Sequence, residues 1–409
     1  MFRQIHWQLP RTLVALALCM ALQMTGFVMI LPLFARRFES FGTGVAAFGM
    51  SSMANALTSV IAAPFIGSLA DRFGRRPIIL LSLSACVLVF SGYLFAISAW
   101  MLILVRGLAG LFIAGLIPAI ISSVGDLAAE NRRAQWIGIV NGGASIGWVV
   151  GPYLGGLLYD SFGYVVPFVV STALEFAALL LALFFVPETH VPSMQDRRLP
   201  LPQMRGLQAS SAMPVFVLSM LISFGVMFAW AFIEPEFMFY LYDDLAWTSS
   251  QLGLAIGAYG LAVMCGEFAF GHLSDRLGRK PVLLLGLTLF AAQFVGLVIF
   301  RDMTWITVSF IVAGLGNALY DPTLCALLLD ITPPESTAGV MGLKSTVGSI
   351  GNMLGPGLVV LVTPFVRPQI VFLISAILVF MLTLTTGLGL RSSFTPVVTR
   401  FGSQSAVTL

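Results

Sequence analysis

The chain is short of charge. Only 10% of its 409 residues are Asp, Glu, Lys or Arg, while 58% are hydrophobic; soluble domains carry about 25% charged residues. A soluble protein of this composition would have too little polar material to cover its surface, so most of its solvent must be a lipid bilayer. Histidine is scarce as well, with His6, His190 and His272 far apart. The four cysteines, Cys19, Cys86, Cys265 and Cys325, all lie in apolar runs and form no C-x-x-C pair. These shortages argue against a disulfide framework or a zinc site. With no metal or nucleophile constellation, they point away from an enzyme and imply neither cofactor nor metal. A phosphate-cradling G-x-x-x-x-G-K-[ST] is missing, because GVMGLKST (339–346) lacks the glycine next to its lysine, so ATP is not the expected energy source. The net charge of +3 comes from short basic clusters between apolar runs, which is no nucleic-acid surface. The longest polar stretch, 187–211, is too short for an attached signalling domain.

Apolar runs are what the chain has in abundance. Twelve segments reach the ~20 residues a spanning helix needs: roughly 12–35, 45–69, 77–97, 100–124, 134–158, 164–186, 212–238, 250–272, 281–300, 303–329, 337–363 and 367–390. The runs are continuous rather than alternating, which predicts an all-α polytopic protein and not a barrel. The first run is too long for a signal-peptide core and reads as a retained span. Lys and Arg set the orientation. With the N-terminus cytoplasmic, the outside loops carry only Arg36, Arg37, Arg301 and Arg367; Arg106 and Lys344 fall within spans, and the other fifteen lie inside. Both termini are therefore expected in the cytoplasm of a cell-membrane protein. Pro, Ser and charged residues make 187–211 a linker. It divides 1–186, a six-helix bundle, from 212–409, a second bundle with a short cytoplasmic tail.

The two halves repeat. GSLADRFGRRP (67–77) and GHLSDRLGRKP (271–281) share seven of eleven residues at an offset of 204. The offset holds for Pro118 and Pro322, Asp126 and Asp330, Gly138 and Gly342, and Gly151-Pro152 and Gly355-Pro356. Parallel repeats of this kind are a feature of secondary transporters, with the substrate site near the bilayer midplane between halves.

These features resemble the major facilitator superfamily over essentially the full length. GSLADRFGRRP is similar to that family's signature loop between helices two and three, and GHLSDRLGRKP to its echo between eight and nine. LVRGLAGLFIAG (104–115) resembles the fourth-helix motif, with Arg106 as its arginine. NGGASIGWVVGPYLGG (141–156) resembles the fifth-helix motif of drug–proton exchangers, and FVPET (185–189) is common at the end of helix six there. The resemblance implies a monomeric, twelve-span drug–proton antiporter, the group of multidrug pumps and tetracycline exporters. Tetracycline exporters carry acids in helices one and three; this chain has Gln23 and Val89 there.

On this reading Asp71 would face the N-terminus of helix eleven, near 333–339, and Arg75 would pair with Asp126. Asp275 and Arg279 would do likewise with the start of helix five and Asp330, forming a cytoplasmic gate. Gly143, Gly147, Gly151 and Gly155 recur every fourth residue on one face of helix five, where small residues allow close packing in lipid. Pro152 permits a bend. This face is expected to pack on the other half and hinge. A charge within a span costs roughly 2.5–3.5 kcal/mol and is a functional candidate by default. Arg106, Asp321, Glu267, Glu175 and Glu234 are therefore the candidates for proton coupling and the central cavity, and Lys344 is expected to pair with Glu267 or Asp321. Gln23, Asn55, Asn141, Asn317, Phe224 and Phe228 are candidates for the substrate cavity. The function expected is export of small lipophilic compounds in exchange for protons. The alternative is a facilitator or proton symporter importing a sugar or organic anion.

Overall fold

The computed structural model describes residues 2–129, 132–189, 213–333 and 336–390; the side chains of 2–10, 68, 71, 134 and 338 lie outside the description. Apart from short connections, it is helical throughout these residues. The helices are α1 (Phe2–Ile30), α2 (Leu33–Ser40), α3 (Val45–Phe73), α4 (Arg75–Phe95), α5 (Ala99–Leu127), α6 (Arg133–Phe162) and α7 (Val165–Phe185). After the linker come α8 (Met213–Phe239), running into a wider turn at Tyr240–Asp244, then α9 (Ser249–Phe270), α10 (Leu273–Leu277), α11 (Arg279–Phe290) and α12 (Ala292–Ile299). The last are α13 (Met303–Ile331), α14 (Thr337–Val362), a short turn at Thr363–Phe365, and α15 (Pro368–Gly389). Among the described residues twelve helical segments are long and apolar enough to cross a membrane, from Arg11–Ser40 to Pro368–Gly389. They match the twelve sequence runs to within a few residues, except that the first continues through Pro32 and α2. Leu88, Phe184 and Leu388 are each more than 70% exposed, as side chains that meet lipid should be.

The chain gathers into two compact units. One holds Met1–Leu199 with Phe232–Leu261 and Pro356–Pro368; the other holds Pro200–Ala231, Ala262–Gly355 and Gln369–Leu409. The first unit thus takes in the first six spans and parts of the seventh, eighth and eleventh.

Glycine and small polar side chains explain the tight seams. In α6, a Cβ at Gly143 would meet the Ala17 carbonyl at 2.7 Å, at Gly147 the Met24 backbone at 2.7 Å, at Gly151 the Thr25 carbonyl at 3.0 Å, and at Gly155 the Met29 carbonyl. The stripe therefore packs against α1, within the first six helices, and not against the other half as its spacing suggested. A four-residue glycine repeat specifies a close neighbour without saying which one. The neighbouring face of α6 receives α9: a Cβ at Gly257 would lie 2.6 Å from the Val149 carbonyl and one at Gly260 3.0 Å from that of Trp148. Along the seam of α3 with α5, Thr58 donates to the Gly107 carbonyl (2.7 Å) and Ser59 to that of Gly110 (2.9 Å).

Both signature loops turn on a glycine. Gly74 has φ +103° and Gly278 φ +89°, with ψ 163° and 159°, a backbone region that only glycine enters without strain. Each ends one helix and begins the next in a single residue, which is why the spacing of the motif is fixed.

Candidate functional site

Arg106 is the centre of the charged site in the first unit. It sits in α5, only 3% exposed. Its guanidinium lies 4.3 Å over the Phe34 ring, and its Nη2 is 3.5 Å from Ser52 Oγ. Asn55 Nδ2 donates to the Arg106 carbonyl at 3.0 Å, fixing the backbone that carries the side chain. Nε and Nη1 have no hydrogen-bond partner among the described residues. Glu234, on α8, lies within Coulombic reach of Arg106. A guanidinium over an aromatic face keeps an attraction when desolvated, and its planar fork leaves donors ready for a second anionic group. Glu234 is partly exposed.

A second charged cluster lies in the second unit. Lys344 Nζ on α14 is 2.6 Å from Asp321 Oδ1 on α13 and 3.1 Å from Cys325 Sγ. Glu267 on α9 is exposed and feels the Asp321 charge. Of the two partners expected for Lys344, the structure gives it Asp321. Pro322 follows within the same helix, at the point where a backbone hydrogen bond is missing.

The structure does not bring the five membrane charges into one group. Glu175 lies apart from both clusters, fully buried on α7 beside Gly26, and neither carboxyl oxygen has a hydrogen-bond partner among the described residues. Gln23, one turn from Gly26 on α1, is likewise fully buried with both amide atoms unpartnered. The register of α1 on α7 explains the burial: Cys19 Sγ donates to the Ala178 carbonyl and Ser171 Oγ to that of Gly26, so residues 19–26 of α1 are covered by α7. Gln23 is thus a core residue rather than a cavity wall. Asn55 is engaged with the α5 backbone; Asn141 is exposed, and its carbonyl accepts from Ser145. Asn317 is half-buried on α13. Phe224 and Phe228 stack at 5.9 Å, with Gly351 of α14 set against the backbone between them.

At the Gly74 end, Arg75 Nε lies 3.5 Å from Asp126 Oδ2, and in the repeat Arg279 bonds Asp330 (2.9 Å) and Asp275 (2.6 Å). The Asp71 side chain lies outside the described residues. The part of Glu188 was not legible in the sequence: its carboxylate accepts from the Arg75 and Arg76 amides at 2.9 and 3.2 Å, capping α4, while Thr189 bonds Asp126. Ser52 and Phe34 were missed too. A serine and a phenylalanine in apolar helices give no signal until the fold sets them beside Arg106.

The model of the Major Facilitator Superfamily matches residues 16–242 and 215–401. The chain is 27% identical over 330 residues to the multi-drug resistance efflux pump PmrA homolog of Lactococcus lactis, covering 80% of this chain and 81% of that one. It is 28% identical over 315 residues to the class G tetracycline resistance protein of Vibrio anguillarum, covering 74% and 76%. Among solved structures, the nucleoside transporter NupG superposes with a TM-score of 0.74 at 15% identity, over 93% of this chain and 100% of that one. The human organic anion transporter MFSD10 gives 0.69 at 19% identity, over 92% and 99%. Twelve spans, the doubled signature loop and a family match over most of its length place the chain in the major facilitator superfamily.

Proposed function

We propose that this transporter exports small lipophilic compounds in exchange for protons. It works as a monomer in the cell membrane with both termini cytoplasmic, and its two six-helix halves, 1–186 and 212–409, rock about the linker at 187–211. The relatives named as efflux pumps and the helix-five pattern support export. The Lys and Arg distribution supports the orientation, which makes the Gly74 end cytoplasmic. The observation that carries the coupling is the buried Arg106 guanidinium over Phe34, with the Glu234 carboxyl within its Coulombic reach.

The mechanism follows from mutually exclusive use of one carboxylate. Ionised, Glu234 is attracted to Arg106. Protonated, it loses that attraction and leaves the guanidinium to itself. A positively charged or dipolar substrate binding beside the protonated carboxyl displaces its proton and leaves Glu234 ionised, and a proton arriving from the other face re-protonates Glu234 and displaces the substrate. The Phe34 ring offers an apolar surface to the same compound. Asp321, with Lys344 and Glu267 near it, is the second candidate for the proton.

Energised cells carrying the protein should accumulate less of a fluorescent lipophilic cation than cells without it, and a protonophore should abolish the difference within minutes. A facilitator would instead bring its solute to the same level with or without the protonophore. That result would replace export by the import reading.

A further inference from the structure

The turn at 245–248 joins the seventh and eighth spans, and the first six helices grip it at two points. Asp160, near the end of α6, accepts from the Ser249 and Ser250 amides at 3.1 and 2.8 Å. These amides open α9 and have no partner within their own helix, and the helix dipole favours an anion there. Arg36, on α2, donates to the Trp247 carbonyl at 3.2 Å and lies 4.1 Å over the Tyr242 ring, while the Tyr242 hydroxyl donates to the Pro32 carbonyl. Next to Trp247, Ala246 has φ +55°, the one non-glycine residue with positive φ among the described residues. A left-handed alanine is strained, so the grips hold a turn that its own backbone disfavours. Beneath the turn, glycines let α6 and α9 approach closely. A Cβ at Gly156 would fall on the Ser249 carbonyl, and one at Gly253 on the Pro152 carbonyl.

We propose that Asp160 is a positioning residue for the transport cycle: it latches the 163–164 end of the protein shut by capping α9, and every cycle must release it. The signature loops place charged contacts at the Gly74 end, and Asp160 supplies the corresponding hold at the opposite end. The proposal rests on alternating access in the reading above, and not on the direction, the substrate or the proton.

The test is accessibility. In a background with Cys19, Cys86, Cys265 and Cys325 replaced by alanine, Asn55→Cys reports on the space beside Arg106. A membrane-impermeant maleimide is applied to intact cells and, separately, to inside-out vesicles. Asp160→Ala is expected to raise the labelling rate at least fivefold from the 163–164 face and to lower it from the other. Asp160→Asn should give about a twofold change, because its side-chain oxygen still accepts one amide; it also carries the test if the alanine variant does not assemble. Unchanged labelling from both faces overturns the latch. A rise from both faces also overturns it, because general loosening does not favour one face over the other. No transported compound is needed, so the latch can fail while export stands, or stand while export fails.

Discussion

Glu234→Gln is expected to abolish substrate-driven proton movement, by at least fiftyfold, while substrate-for-substrate exchange survives within a fewfold of the parent. Glutamine has nearly the shape of glutamate, so the local packing remains. It cannot take up or release a proton, so the step that couples the proton gradient to substrate is lost. Arg106→Ala should be at least as damaging, but in a different way. It removes the cation over Phe34 and leaves Glu234 without its counter-charge. Arg106→Lys should not rescue it, because a lysine ammonium is a point charge without the planar fork that reaches Ser52 while stacking on the ring. Vesicles that report proton flux and labelled-substrate exchange in parallel separate the two variants. Glu234→Gln should lose only the first, and Arg106→Ala should lose both. Unimpaired proton flux in Glu234→Gln would move the proton to another carboxyl, with Asp321 next to be tested.

The second large effect concerns folding. Gly155→Leu should prevent stable assembly, because the position of its Cβ is already taken by the Met29 carbonyl of α1. The backbone atom cannot rotate away as a side chain would, so α1 must retreat and the seam along Gly143, Gly147 and Gly151 opens with it. Gly155→Ala, adding one methyl to the same contact, should cost about 1–3 kcal/mol and lower Tm by roughly 1–4 °C. Gly142→Ala is the control, since nothing lies within 4 Å of a Cβ there, and its Tm should stay with the parent. Thermal unfolding in detergent, followed by size-exclusion chromatography, checks all three. Equal loss from Gly142→Ala and Gly155→Ala would mean that glycine acts here through helix flexibility and not through contact.

The fold was legible because its cause is composition. Continuous apolar runs admit only spanning helices, and the offset of 204 identifies the duplication without reference to structure. Gly74 and Gly278 show the same economy, since their fixed place in the motif reflects a backbone geometry. The site was legible only in part. Arg106, Glu234, Asp321 and Lys344 stand out as charges in lipid, but sequence gives no distance between α5 and α8 or between α13 and α14. It therefore grouped Glu175 with them, whereas Glu175 is enclosed in the first six helices. The glycine stripe was read against the wrong neighbour for the same reason. Its period fixes a face of α6, but α1 and α9 pack on adjoining faces one residue apart. Asp160 gave no signal because an acid at the end of a span looks like an ordinary boundary residue.

The most direct test of the central claim is proton movement in inside-out vesicles. Vesicles containing the protein are energised, the pH gradient is followed with a fluorescent dye, and a lipophilic cation, a neutral lipophilic drug and a sugar are added in turn. If Glu234 exchanges protons for substrate, one or both lipophilic compounds will collapse part of the gradient, the sugar will not, and Glu234→Gln vesicles will hold the gradient throughout. A gradient untouched by either drug, together with sugar flux in vesicles that were never energised, would contradict proton-coupled export.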